Sequence, residues 1–285
     1  MTGPPSLFAL SLILTAAVLH ASWNAIIKGS ADRALMMGLI NMGHGALGLV
    51  LIMLYLPPVA AAWPFIIGST FIHFFYYFFL LRAYRTGDLS QVYPIARGVA
   101  PVLVAIGAQI FADEVLPPVA WAGILLVSFG ISILFFGRRH AHANPQAVVA
   151  AVLTGFAIAS YSVVDGLGVR ASQSPLGYIG WLFLLECIPG AWFILYRRRV
   201  LSAVRWRTIL IGFAGGLVSA VAYGLAIYAK SLASLGTVSA IRESSVIIAA
   251  LIGVIWFKER PWQLRLLAAS VVAGGVILLA LGGRP

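Results

Sequence analysis

The stretch from Tyr93 to Glu114 reads YPIARGVAPVLVAIGAQIFADE, an arginine set early in an apolar run that closes on acid. From Ala240 the chain reads AIRESSVIIAALIGVIWFKE. The constant shift that carries 97 to 242 also places Glu114 on Glu259, Arg85 on Lys230 and Gly130 on Gly275. No gap is needed between Ala83 and Phe136. Charged residues make up only 9% of the chain, so three charged matches in one ungapped echo indicate an internal duplication. An arginine within an apolar helix costs about 2.5–3.5 kcal/mol on insertion scales, so it faces a bundle interior or a wet cavity. Two matched arginines therefore predict one cavity shared by the repeats.

Composition sets the solvent. Hydrophobic residues make up 61% of the 285 residues and mean hydropathy is +1.00, which excludes an ordinary soluble domain. The net charge of +11 does not point to nucleic acid, because most basic residues sit in short clusters between apolar runs. Cytoplasmic loops and lipid headgroups account for them better. Cys187 is the single cysteine, so no intrachain disulfide forms. Leu7 to Leu19 imitates a signal-peptide core but lacks a basic leader and a cleavage site before Lys28, so it is expected to be the first span.

A hydrocarbon core of about 30 Å takes around 20 apolar residues per helix. On that ruler ten spans are expected: Ser6–Lys28, Ala34–Leu56, Trp63–Leu81, Ser90–Phe111, Pro117–Phe136, Ala147–Val169, Pro175–Tyr196, Thr208–Tyr228, Gly236–Phe257 and Trp262–Leu281. Pro57-Pro58, Pro117-Pro118, Pro145, Pro175 and Pro261 fall between runs, whereas Pro94, Pro101 and Pro189 fall inside and free backbone carbonyls there. The fold class expected is an all-α integral membrane protein with two units, 1–140 and 141–285. Five helices each force the second copy to enter from the opposite side, an inverted repeat. A second shift, carrying 22 to 160, sets Ser22-Trp23-Asn24 against Ser160-Tyr161-Ser162 without a charged anchor. Lys and Arg crowd the odd loops, from Lys28 and Arg33 through the Arg197–Arg207 stretch to Arg265. The even loops and termini hold only Arg170, Lys230 and Arg284. That asymmetry predicts both termini outside the cytoplasm.

At YPIARGVAP with its closing Asp113-Glu114, at GILLVSFG, at IRESSV with Lys258-Glu259 and the matching Gly275, and at HASWNAIIK from His20 to Lys28, the chain resembles the EamA-type branch of the drug/metabolite transporter superfamily. The resemblance covers nearly the whole chain. It implies ten helices in two five-helix repeats and a multi-pass carrier in a bacterial cytoplasmic (inner) membrane that moves small metabolites, often amino acids or amines, without ATP hydrolysis. It also implies cytoplasmic termini in many members, against the loop count. Glu114 and Glu259 belong to the family pattern and are read as structural.

Two readings stand for the arginines. Arg97 and Arg242 lie within about two turns of a helix entry, so each can snorkel to the interface. The functional reading is an anion grip, because a guanidinium forks a carboxylate or phosphate bidentately and stays charged in lipid. Glu243 adjoins Arg242 and pairs with it on the simplest view, while Arg97 has no acidic neighbour in sequence and is preferred. Glu186, mid-span in WLFLLECIPGAW, is the expected proton carrier, with pairing to an arginine or capping near Pro189 as the structural alternative. Asp165, four residues after Tyr161, is a second proton-coupling candidate near a span end, where solvation is the default. His20, Trp23, Asn24 and Ile27 share one helical stripe that lines either the cavity or a hydrogen-bonded seam. Tyr93, Tyr161, Trp181 and the run His73-Phe74-Phe75-Tyr76-Tyr77 are candidates for an aromatic wall around an ammonium or aromatic substrate, with packing or an interface belt as the alternative.

No HExxH, Walker glycine loop or Ser/His/Asp set is legible, so no enzyme, cofactor or metal site is expected. The reading is a secondary transporter, and an exporter by resemblance, for a small zwitterion such as an amino acid or related amine, working by alternating access with possible proton coupling. Its partners are a small-molecule substrate and membrane lipids, with no nucleic acid, and a monomer is a plausible working unit. A flippase for a lipid-linked phosphate and a non-transporting membrane subunit are the alternatives.

Overall fold

The computed structural model describes residues 3–27, 32–86, 89–136, 144–255, 258 and 260–282. Glu259 and the side chains of Asn24 and Tyr93 lie outside the described residues. Thirteen α-helices and no strand occur among the described residues: α1 Leu7–Ile27, α2 Arg33–Leu54, α3 Trp63–Thr86, α4 Leu89–Phe111, α5 Pro118–Phe136, α6 Pro145–Ala171, α7 Pro175–Leu185, α8 Cys187–Tyr196, α9 Arg198–Leu201, α10 Trp206–Lys230, α11 Leu235–Arg242, α12 Ser245–Ile255 and α13 Trp262–Leu281. Eight helical stretches among these residues are long and apolar enough to cross a membrane. The expected first and fifth spans are represented by the shorter apolar stretches Leu7–Trp23 and Pro118–Leu134.

Proline sets several boundaries. Pro118, Pro145 and Pro175 open helices, where the missing N–H has no partner to lose. Inside α4, Pro94 and Pro101 are carried without interruption. Pro189 acts differently. It cannot donate to the Leu185 carbonyl one turn back, and the seventh span divides there into α7 and α8 with Glu186 at the joint. The ninth span divides without a proline. Between Arg242 and Val246 the backbone tightens to bonds three residues apart, Glu243 N–H to the Ala240 carbonyl and Ser244 N–H to the Ile241 carbonyl among them.

α5 lies along α13, α2 is held between α10 and the α7–α8 pair, α3 and α4 both pack on α6, and α1 packs on α10. Outward faces carry Phe71, Ile110, Phe129 and Ile188, all exposed, as a lipid-facing surface requires. Lipid tails are as apolar as leucine, so burial alone gives little drive between helices, and close small-residue packing replaces it. A Cβ on Gly130 would meet the Val272 backbone nitrogen at 2.9 Å, and one on Gly275 the Gly123 carbonyl oxygen at 2.8 Å. The two glycines matched in the sequence echo thus lie on opposite sides of one α5–α13 crossing.

α4 ends with Asp113 in the left-handed region at φ 51° and the Glu114 N–H bonded back to the Ala108 carbonyl at 3.2 Å. Lys258, the counterpart of Asp113 under the same shift, also has φ 51°. This turn aims the buried Glu114 carboxylate at the start of α11, where it accepts from the Leu235 N–H at 2.8 Å. Arg170 clamps the same carboxylate at 2.6 Å and donates to the carbonyls of Lys230 and Ala233, each at 2.8 Å. The structural reading of Glu114 fits this geometry. At the loop before α2, Asp32 caps Leu35 N–H and takes both Nε and a terminal nitrogen of Arg197. Partial burial works to raise that carboxyl, but the Arg197 hydrogen bonds outweigh it and hold it below the ordinary range.

Two stability outcomes follow from these contacts. Gly275→Val forces α13 off the backbone of α5 and is expected to cost about 1–3 kcal/mol, the range for overpacking a close interface, read as a lower melting temperature in detergent. Glu114→Ala strips Arg170 and the α11 N-terminus of their shared acceptor. With Arg170 21% exposed, the loss should fall toward the lower end of about 3–5 kcal/mol, and Glu114→Gln should recover part of it.

Candidate functional site

Four helices deliver the first cluster. From α4, Arg97 reaches His20 of α1, terminal nitrogen to Nε2 at 2.7 Å, and its Nε faces the Glu243 carboxylate at 3.2 Å. Glu243 sits at the α11–α12 joint, where the tightened backbone turns its side chain into the bundle. Arg242, one residue earlier, lies beside Tyr161 of α6. Trp23 stands edge-on to His20 at 5.3 Å between ring centres, one turn along α1. Arg97, Arg242 and Glu243 are all buried, at 5%, 6% and 1% exposure. Because the Arg97 guanidinium donates to Nε2, His20 is held as the neutral tautomer with its proton on Nδ1. Among the described residues the ion pair of this cluster joins Arg97 to Glu243 deep in the interior. No ion pair to Arg242 occurs among the described residues. Its Nε, the Trp23 Nε1 and the hydroxyls of Ser244 and Ser245 are buried without a hydrogen-bond partner. Buried donors in such number are unusual unless something else accepts from them.

The second cluster surrounds the α7–α8 joint. Glu186 is fully buried between His44 of α2, Nδ1 at 2.8 Å, and His73 of α3, Nε2 at 3.4 Å. His44 continues to Ser219 of α10 at 3.1 Å. A third group forms around Asp165, which accepts from the hydroxyls of Tyr178 and Tyr223. Lys230, 2% exposed, donates to the Ser162 carbonyl at 3.0 Å beside it. Aromatic rings join the clusters. His73 stacks on Tyr161 at 4.1 Å and 23°, Tyr161 meets Tyr223 edge-on at 5.9 Å, and Tyr223 stacks on Phe183.

Several sequence expectations change. Arg97 does have an acid: Glu243 pairs across helices with Arg97 instead of with its chain neighbour Arg242, because side chains adjacent in a helix point apart. Asp165 is not solvated at a span end but has zero exposure, since α6 runs on past it to Ala171. Lys230 and Arg170, counted as loop charges, are bonded into the bundle. Trp181 packs on Trp63 at 5.1 Å and joins the apolar cluster around Tyr178, apart from the arginines. Arg97, Arg242, Glu243, Tyr161 and, through His20, Trp23 come together; Glu186 reaches them through His73 and Tyr161. The reading passed over His44, Tyr223 and Lys230. His44 had a usable signal, an ionisable residue in the otherwise apolar NMGHGALG.

Among the described residues no group of three His, Cys, Asp or Glu is arranged to hold a metal ion. No curated protein matches the chain. A solved crystal structure of a protein is similar over 97% of this chain and 97% of its own, with a TM-score of 0.76 at 19% identity, a likeness of fold alone. Residues 145–281 match the EamA-like transporter family, of the drug/metabolite transporter superfamily, and they contain the α7–α8 joint, the α11–α12 joint and the Arg242-Glu243 pair. Over those residues, the chain is similar to the EamA-like transporter family.

Proposed function

We propose that this protein is a secondary transporter that moves a small zwitterion, an amino acid or related amine, outward across a bacterial inner membrane by alternating access. The observation that carries this reading is the buried Arg242, which makes no ion pair among the described residues. Its Nε lacks a partner and its neighbours offer further free donors. A substrate carboxylate supplies the missing acceptors, and a guanidinium takes it bidentately. Glu243, held by Arg97, is the counter-charge for the ammonium end. Trp23 and Tyr161 flank the body, and Glu186 is the proton carrier.

The transporter is built as two inverted five-helix repeats, 1–140 and 141–285. Support comes from packing that repeats under exchange of the halves. α1 lies on α10 as α6 lies on α3, α4 meets α5 as α12 meets α13, and α5 meets its own counterpart α13. The matched glycines and the matched left-handed residues Asp113 and Lys258 add to it. Both termini lie outside the cytoplasm. Removing the bonded Arg170 and Lys230 from the loop count sharpens the charge asymmetry that supports this orientation.

Binding tests the site. In a thermal-shift screen over amino acids and amines, Arg242→Lys keeps the charge but loses the fork, and affinity should fall on the order of ten- to a hundred-fold, about 1.5–3 kcal/mol. An amine analogue lacking the carboxylate should bind wild type poorly and lose little more in the variant. Equal losses for both would assign Arg242 to packing, and a response confined to lipid-linked phosphates would replace the carrier by a flippase. For orientation, reporter fusions at Pro285 should be active in the periplasm and fusions within the Arg197–Arg207 loop in the cytoplasm; the reverse pattern overturns the arrangement.

A further inference from the structure

The hydrogen bonds around Glu186 fix where protons are. His73 Nδ1 lies 2.8 Å from the Ser69 carbonyl oxygen, which only accepts, so Nδ1 carries a hydrogen. In neutral His73 the opposite nitrogen, Nε2, is then a bare lone pair. It faces Glu186 Oε1 at 3.4 Å, and that oxygen is buried with no other donor. Two acceptors this close in a buried setting repel unless a proton lies on one of them. The other side of the carboxylate makes no such demand, since His44 Nδ1–H serves Oε2 at 2.8 Å and its Nε2 accepts from the Ser219 hydroxyl at 3.1 Å. The extra proton therefore belongs to the His73–Glu186 contact.

The neighbours offer no substitute. α2 presents His44, α3 presents Tyr76 and Tyr77 besides His73, α6 presents Tyr161 and Asp165, α7 Tyr178, α8 Cys187 and α10 Tyr223. Tyr77 donates to Asn41, while Tyr178 and Tyr223 donate to Asp165. Among the described residues the ion-pair partners of Glu186 are the two histidines. The His73 ring also lies flat on Tyr161, and Arg242 lies beside that tyrosine.

We propose that His73 Nε2 and Glu186 Oε1 share one exchangeable proton, and that its loss displaces the His73 ring and the Tyr161 stacked on it, so that deprotonation is felt at Arg242. The proton leaves as H⁺ to water and no other bond is made or broken. What stays behind is a carboxylate oxygen without a donor opposite a lone pair, which drives the ring away. The transporter reading gives this link its use, exchange of a proton for cargo at Arg242, but the shared proton and the stack do not depend on transport.

The test uses the full chain in lipid nanodiscs, with ¹⁵N in the histidine rings and arginine guanidiniums and ¹³C in the glutamate carboxyls, followed by NMR across pH. Wild-type His73 should keep Nδ1–H throughout, while a proton leaves Nε2 or the Glu186 carboxyl in a single step. The Arg242 Nε resonance should move at the same midpoint. Glu186→Gln should abolish the step. His73→Phe, which preserves the stacked ring, should abolish the Arg242 response. Tyr161→Phe should leave the His73 step in place and remove only the Arg242 response, and Tyr161→Leu should do the same by a different route. A proton found on neither Nε2 nor Glu186 at any pH sinks the shared site. An Arg242 signal indifferent to the step in wild type, or still following it in both Tyr161 variants, sinks the link. If no metabolite shifts the melting temperature, the transport reading fails while the histidine step is unaffected.

Discussion

Charge inside a medium that cannot solvate it must be answered by charge or by hydrogen bonds from elsewhere in the protein, and that requirement organises this bundle. Glu114 is answered by Arg170 and the α11 N-terminus, Arg97 by Glu243 and His20, Glu186 by His44 and His73. Each answer comes from a different helix. The apolar faces between helices are interchangeable with lipid in their attraction, so these polar contacts, with close glycine crossings, select which helices are neighbours.

The two broken spans show how the same requirement produces a site. A continuous helix keeps its backbone groups to itself and presents its side chains along a stripe. At Glu186 and at Arg242-Glu243 the helix is interrupted, by proline in one place and by tightened turns in the other. Both interruptions put an ionisable side chain in the interior with room to be approached from several helices. α4 carries two prolines without breaking, so it differs from the span over the matched echo, which divides at Arg242-Glu243. That inequality places the joints in the second half, which also carries the family match.

Between the joints runs an aromatic connection, His73 on Tyr161 and Tyr161 beside Tyr223. Rings packed face to face transmit displacement better than aliphatic chains, because each is a rigid plate with few rotatable bonds. On the proposed function, this places the proton site and the anion site apart yet joins them through packed rings.

The membrane class, helix placement and internal echo were legible in the sequence because they depend on local quantities: apolar run length, proline position and the scarcity of charge that makes a repeated charge informative. Arg97, Arg242, Glu186 and Glu243 were legible as ionisable residues in apolar surroundings. Their partners were not. Arg97 and Glu243 lie far apart in the chain, His44 and Glu186 are 142 residues apart, and no spacing rule connects residues that meet only when separate helices pack. Chain adjacency pointed the wrong way for Arg242 and Glu243, because neighbouring residues on a helix diverge. Sequence determined which charges this protein must bury; the packing of helices decided which of them pair, and left Arg242 without an ion pair among the described residues.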